Sequence, residues 1–289
     1  MENTIYWVWL SRISELTVTE KRKLLKKYDI SRLWNISKSE AIYILKNEEK
    51  ADALIDKRYK TDLQKHLEYM KLNDINLISI CDEKYPKSLK HIYDSPVVLY
   101  TKGNIDILNN LSIAIVGSRN ASEYGKKIAK TMSYMLAKNN INVISGLARG
   151  IDANAHIGAI NANGITVAIV ANGLDKIYPM ENEYLYREII QKNGVIITEY
   201  ALGTRPLSIN FPARNRIISG LSNGVLVVEA SRKSGSLITA DFALEQGKDV
   251  YAVPGNITSP NSIGTNELIK QGAKLITNVG EIIEDYIFL

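Results

Sequence analysis

The 289-residue chain has one cysteine, Cys81, and three histidines, His66, His91 and His156. A single thiol excludes an internal disulfide and a thiolate metal cluster, and so few imidazoles supply a metal site poorly. Long hydrophobic runs are missing. Apolar runs such as VLVV at 225–228 fall far short of the roughly 20 residues that a membrane-spanning helix needs. The opening MENTIYWVWLSR lacks a basic leader region and a small-residue cleavage site, so the expected compartment is the cytoplasm. Neither the G-x-G-x-x-G dinucleotide fingerprint nor the G-x-x-x-x-G-K-[ST] P-loop occurs. A strong charge of one sign is also lacking. The net charge is +5, and it divides evenly: 15 basic against 12 acidic residues in 1–75, and 21 against 19 in 76–289. No global basic field is available to hold a polyanion, so any anion must be bound by a local cluster.

What is present is ordinary globular material, 45% apolar and 23% charged. That excludes wholesale disorder, collagen and coiled-coil rods. One stretch concentrates positive charge: between Glu199 and Glu229 stand Arg205, Arg214 and Arg216 with no acid.

Two textures divide the chain. Residues 1–75 read as helices, with apolar residues at helical spacing in Leu24-Leu25-Tyr28 and Ala41-Ile42-Leu45. Thr19-Glu20 and Ser37–Glu40 look like helix starts, the second at capping-box spacing. The basic run Lys21, Arg22, Lys23, Lys26, Lys27 could touch phosphate, but its plainer reading is a solvated helix face. From about residue 76, short β-branched runs alternate with helical segments: 75–80, 97–100, 113–116, 142–145, 165–170, 195–198, 225–228 and 250–253, with Leu275-Ile276 as a last strand. Near-continuous apolar strands separated by helices predict a doubly wound α/β domain around a mainly parallel sheet.

Several strand ends carry candidate chemistry. Ile113–Val116 runs into Gly117-Ser118-Arg119-Asn120 before a helix from about Ser122. Glycine there lets backbone approach a ligand, and the N–H groups opening the next helix favour an anion. The plainer reading is a β-to-α turn, but Arg119 adds a permanent cation where open α/β sheets place ligands. The next strand ends in Ser145–Asp152, including Arg149. Asp152 and His156, four apart, would share a helix face; an acid–base pair is one reading, a capping Asp152 beside a packed His156 the plainer one. In 210–222, Arg214 and Arg216 lie beside Phe211. Arginine offers phosphate a planar fork and phenylalanine offers a base its face. The two arginines would point about 200° apart on a helix, so one of them is expected to be structural. Glu229 follows a strand, and Lys233-Ser234-Gly235-Ser236 opens a helix, either as an anion nest or as an ordinary N-cap. A serine nucleophile would need a base, and the histidines lie far off in sequence.

The order IAIVGSRNAS, SGLARGIDANAH, NGLDKIYP, ITEY, FPARNRIISGLS, VLVVEASRKSGSLITADFALEQGKDVYAVPGN and GTNELIKQGA resembles the DNA-processing protein A (DprA/Smf) family over roughly 76–280. Several long blocks in order make the resemblance specific. Residues 1–75 are similar, less closely, to the small helical, SAM-like domain that precedes the family's Rossmann-like core. The resemblance implies an extended Rossmann fold, with no nucleotide cofactor, that binds single-stranded DNA. It also implies help in loading the RecA recombinase during natural transformation. By motif, Arg119 would hold a phosphate and Phe211 would contact a base. Gly117, Ser118, Arg149, Arg205, Arg214, Asn215, Lys233, Ser234 and Gly235 would line the groove, with no catalytic or metal-binding residue. Two departures stand out. Many relatives carry a basic residue where this chain has Ser208, which would either weaken phosphate binding or shift it toward Arg205. Many also continue into a winged-helix-like domain, whereas this sequence ends at Leu289.

The competing expectation is an enzyme, a nucleotide phosphoribohydrolase of the lysine-decarboxylase-like (LOG) kind built on a similar core. Those proteins carry P-G-G-x-G-T-x-x-E. Here the corresponding loop is Ser234-Gly235-Ser236-Leu237-Ile238-Thr239, with Phe242 where the acid would stand. A homodimer is expected because two linked weak grooves gain avidity, with the apolar tail Ile282–Leu289 at or near the interface.

Overall fold

The computed structural model describes residues 3–56 and 59–286. Six helices come first: α1 (Thr4–Arg12), α2 (Val18–Lys27), α3 (Ile30–Trp34), α4 (Lys38–Leu45), α5 (Glu48–Ile55) and α6 (Leu63–Leu72). Ser37 caps α4 in a full capping box with Glu40, as its spacing predicts. The cap of α2 is Thr17 rather than Thr19. Its hydroxyl accepts from the Glu20 N–H while Glu20 accepts from the Thr17 N–H, because the box needs its acid three residues on. The basic run of α2 is only partly a solvated face. Lys23, Lys26 and Lys27 are exposed, but Lys21 is buried.

Among the described residues, nine strands form one sheet in the order β1-β2-β6-β5-β4-β3-β7-β8-β9. They are β1 (Asn76–Ser79), β2 (Val98–Gly103), β3 (Ser112–Val116), β4 (Asn142–Ser145), β5 (Thr166–Ile169), β6 (Val195–Thr198), β7 (Gly224–Val227), β8 (Asp249–Ala252) and β9 (Lys274–Leu275). From β6 to β9 every pairing is parallel, while β1–β2 and β2–β6 are antiparallel. A parallel return needs a crossover long enough to recross the sheet. Residues 80–97 hold only the four-residue α7 (Lys87–Lys90), so β2 runs back against β1. The remaining helices are α8 (Glu123–Lys138), α9 (Ile151–Asn161), α10 (Glu183–Gln191), α11 (Asn210–Leu221), α12 (Gly235–Glu245), α13 (Ile263–Lys270) and α14 (Gly280–Ile283).

Strand periodicity divides the core into layers. Ile113, Ile115, Val143, Leu226 and Val228 pack under α8 and α9, while their neighbours Ala114, Val116, Ile144, Val225 and Val227 pack with Ile217, Ile218 and Ala240 of α11 and α12. A third cluster joins the helical segment to the sheet, combining Trp7, Trp9 and Leu10 with Val97, Val98, Tyr100 and Ile196. The Ser11 hydroxyl meets the Tyr100 hydroxyl at 2.6 Å across the same boundary.

The tail departs from the expected interface position. Ile282 is fully buried and Tyr286 nearly so, both in the layer beneath α8. The Tyr286 hydroxyl donates to Asp249 at 2.7 Å, and Tyr251 donates to Tyr286 at 3.2 Å. These side chains close the protein's own core. Ile287, Phe288 and Leu289, named with them, lie outside the described residues.

Candidate nucleic-acid interface

The strand order reverses direction at β3, with β4 on one side and β7 on the other. Such a switch point leaves a crevice at the carboxyl ends of the strands. A cavity of about 580 Å³ occupies it, lined by Gly117, Ser118 and Arg119 after β3, Phe211, Arg214 and Asn215 of α11, and Ser234 and Gly235 at the start of α12. Eight of the sequence-predicted residues therefore meet in one place.

The loop after β3 is held from both sides. The Ser118 N–H donates to the Glu229 carbonyl at 2.8 Å, and the Ser118 carbonyl accepts from the Ile151 N–H at 3.2 Å. A Cβ on Gly117 would sit 2.6 Å from Ile151 Cγ1 and 2.8 Å from the Glu229 oxygen. That glycine serves close packing between loops, not only approach to a ligand. Arg119 projects from this loop, exposed, its guanidinium carbon 4.8 Å from the Phe211 ring centroid. No carboxylate pairs with it among the described residues. The Tyr178 ring meets Phe211 at 5.7 Å, tilted by 52°. Phe211 thus stands between a free cation and a second aromatic, the arrangement that single-strand grooves use for base and phosphate.

Arg214 and Arg216 diverge as helical geometry requires, and both are buried. Arg214 forms the cavity floor. It donates to the carbonyls of Gly146, at 2.7 Å, and Ile169, and its guanidinium lies so close to Gly146 that a Cβ there would sit 2.7 Å from it. Burial pulls its pKa down to about 10, so it stays cationic at neutral pH. Arg216 faces away. It makes a two-pronged pair with Glu199 at 2.6 and 2.7 Å and a further one with Asp94 at 2.7 Å. The acid-free look of 200–228 is a sequence effect only, because the fold returns Glu199 and Asp94 to Arg216 from outside it. Asn215 locks α11 to α12, donating to the Gly235 carbonyl at 3.1 Å.

Three named residues do not line the cavity. Arg149 borders an adjoining recess with Tyr178 and Pro179 and is ion-paired to Glu181 in the open, where such a pair is worth little. Arg205 and Lys233 are exposed outside the lining. The lining instead contains Tyr178, Ser208, Asn120 and Thr239. Tyr178 was carried by the NGLDKIYP block, but nothing local ties residue 178 to residue 211. The buried Thr239 hydroxyl has no hydrogen-bond partner, an unmet polar group at the cavity wall.

The candidate acid–base groups are each hydrogen-bonded to the surrounding fold. Asp152 lies inside α9 rather than at its cap, which is Gly150. Its carboxylate accepts from the N–H groups of Gly146 at 3.1 Å and Ala148 at 3.4 Å, bracing the loop before the helix. Burial pushes its pKa up while Arg214 and these N–H groups pull it down. His156 does not meet it. Its Nδ1 lies 2.7 Å from the Thr166 hydroxyl, which itself donates to the Val143 carbonyl, so Nδ1 carries the proton and Nε2 faces apolar surroundings unpaired. Glu229 accepts from the Ser122 N–H at 2.9 Å and from its hydroxyl, fixing the cap of α8. A G-x-S-x-G string, Gly220–Gly224, does occur, but it runs from α11 into β7. That is the reverse of a nucleophile elbow, and Ser222 is buried, donating to the Ser219 carbonyl. Among the described residues no His, Cys, Asp or Glu cluster suits a metal.

Residues 76–287 match the family model described as DNA recombination-mediator protein A. The chain is 44% identical over 210 residues to the DNA processing protein DprA of Streptococcus pneumoniae, covering 73% of this chain and 74% of that one. It is 45% identical over 213 residues to Protein Smf of Escherichia coli, covering 74% of this chain and 57% of that longer one. The X-ray structure of the Streptococcus pneumoniae DprA superposes with a TM-score of 0.86 at 37% identity over 99% of both chains. A structure of DNA processing protein A from Helicobacter pylori, described for its single-stranded DNA binding mode, superposes with a TM-score of 0.66 at 34% identity, covering 73% of this chain and 94% of that one. With the same blocks in the same order on the same fold, the chain belongs to the DNA recombination-mediator protein A (DprA/Smf) family.

Proposed function

We propose that this protein binds single-stranded DNA in the cavity at the β3 switch point and acts, as a homodimer, to pass the strand to the RecA recombinase. The observation that carries the reading is the Arg119–Phe211–Tyr178 group, a free cation and two rings at the mouth of a cavity with an arginine floor. A phosphate suits Arg119, and an unpaired base suits a ring that duplex DNA would leave unused. The Helicobacter pylori relative supports the same ligand class. The role is non-catalytic: Asp152, His156 and Glu229 are each engaged in holding loops or helices. No helix among the described residues is long and apolar enough to cross a membrane, which is compatible with action in the cytoplasm.

For assembly, the edge strand β9 is a better candidate than the tail. Leu275 on β9 is 43% exposed and Leu244 nearby on α12 is 60% exposed. A two-fold pairing there would close an open sheet edge. Binding of labelled single strands and of duplex at equal salt tests the function. Tighter binding to the single strand, with little sequence preference, is expected; equal affinity would sink the proposal. Release of base or ribose phosphate from nucleoside monophosphates, lost on Asp152→Asn or Glu229→Gln, would favour the hydrolase instead.

A further inference from the structure

The cation at the cavity floor has spare donors. Arg214 is 3% exposed. Its Nε donates to the Asn215 side chain at 3.2 Å, and its Nη1 donates to the carbonyls of Gly146, at 2.7 Å, and Ile169. Its Nη2 has no hydrogen-bond partner among the described residues, yet it is not sealed off from the cavity that the residue lines. Asp152 is the acid in that lining, and no ion pair joins it to Arg214 among the described residues. Its Oδ2 accepts instead from the N–H groups of Gly146 and Ala148. On the cavity wall the Thr239 hydroxyl is likewise buried without a partner. A buried guanidinium with an unmet amino group is costly until an acceptor reaches it.

The floor is also a dead end. The guanidinium lies flat against Gly146, where a Cβ would be 2.7 Å from Cζ, Nη1 and Nη2 alike. Behind it stand the ends of β4 and β5. The Phe211 ring centroid is 6.0 Å from Arg214 Cζ and 4.8 Å from Arg119 Cζ. One ring is thus shared by two cations, one exposed at the mouth and one buried at the floor. The two suit different phosphates. A phosphodiester within a strand has a sugar on each side, and both must leave by the mouth, where Arg119 meets it in the open. A phosphate at Arg214 has to enter past Phe211 and stop. A phosphomonoester can do so, because it ends the chain. It also offers three acceptor oxygens, which suit the charge-assisted donors of a guanidinium. The cavity, about 580 Å³, is of the size that holds one small ligand such as a nucleotide.

We infer that the cavity floor at Arg214 binds the phosphomonoester of a terminal nucleotide, either the phosphorylated end of a single strand or a free nucleoside monophosphate. The inference rests on the proposed single-strand binding and adds to it a preference for ends.

The test titrates the full chain, at one salt concentration, with an internally labelled single strand of one sequence bearing hydroxyls at both ends, a 5′-phosphate or a 3′-phosphate. A deoxynucleoside monophosphate and its unphosphorylated nucleoside serve as competitors. One phosphorylated strand is expected to bind about tenfold more tightly than the hydroxyl-ended one, equivalent to about 1.4 kcal/mol. The monophosphate should displace the strand at concentrations where the nucleoside does not. A gain confined to the strands identifies a strand end as the ligand, and a gain confined to the competitors identifies a free nucleotide. Arg214→Met should abolish the gain and Arg119→Ala should keep it; the ratio is taken within each protein, so a general loss of affinity cancels. Equal binding of the three strands, together with equal competition by nucleotide and nucleoside, overturns the inference. That comparison needs only the wild-type protein, so it decides even if Arg214→Met does not fold. A gain that survives Arg214→Met, or that disappears in Arg119→Ala, overturns it too, because the monoester would then sit at the mouth. If hydroxyl-ended single strands bind no better than duplex, the underlying reading fails instead.

Discussion

Arg119 and Phe211 divide the contact between charge and stacking, and the division is measurable. Each phosphate neutralised adds about −0.7 to the slope of log K against log salt for a single strand. Arg119→Ala should flatten that slope by up to about 0.7, whereas Phe211→Ala should cost about 1–3 kcal/mol with the slope nearly unchanged. Since Arg119 lies over the Phe211 ring at 4.8 Å, the double variant should lose less than the sum of the two, because contacting residues couple. Equal slope changes in both single variants would show that the roles are not separate. His156 belongs to a different property, stability against acid. Burial pushes its pKa from 6.5 down to about 3. The unfolded chain then binds a proton that the folded protein refuses, so folding stability falls as pH drops from about 6.5 toward 3. Urea midpoints over that range should decline less steeply in His156→Leu than in the wild type, even if the variant is less stable at pH 7.

At the scale of elements, α11 carries both a groove face and a structural face, and the two arginines sort them. Arg216→Met leaves Glu199 and Asp94 uncompensated, so a loss of about 3 kcal/mol in unfolding free energy is expected by analogy with other broken buried pairs. Denaturant titration checks it; a loss below about 1 kcal/mol would place the pair among solvated ones. The sequence already required that Arg214 and Arg216 diverge, since residues two apart on a helix cannot share a face. It could not say that both are buried, because their partners sit just after β4, at the end of β5 and in the loops at 94 and 199, remote along the chain. The parallel strands were legible to within a residue, because buried parallel strands are written as apolar runs, whereas the antiparallel β2 runs three residues past its apolar stretch, to Gly103. Asp152 illustrates the converse. Its spacing to His156 suggested a pair or a cap, but the loop in front of α9 folds back and presents two N–H groups to it.

For the whole molecule, assembly is the property to measure. Leu275→Arg on the β9 edge should turn a dimer into a monomer in sedimentation at micromolar concentration, and weaken single-strand binding through lost avidity. A dimer unaffected by that change would move the interface elsewhere. A truncation at Gly280, by contrast, would remove Ile282 and Tyr286 from the core and test stability rather than assembly.

Read alone, the chain specified the helical opening, the mainly parallel sheet and the strand ends where glycine, arginine and hydroxyl residues gather, because periodicity and turn chemistry act over a few residues. Only the tertiary structure decided which of those ends converge. Strand order brings the ends of β3, β4 and β7 side by side, seats Tyr178 against Phe211, and carries Glu199 and Asp94 to Arg216. Those encounters depend on how distant segments cross, and no local pattern records a distance between residues far apart in the chain.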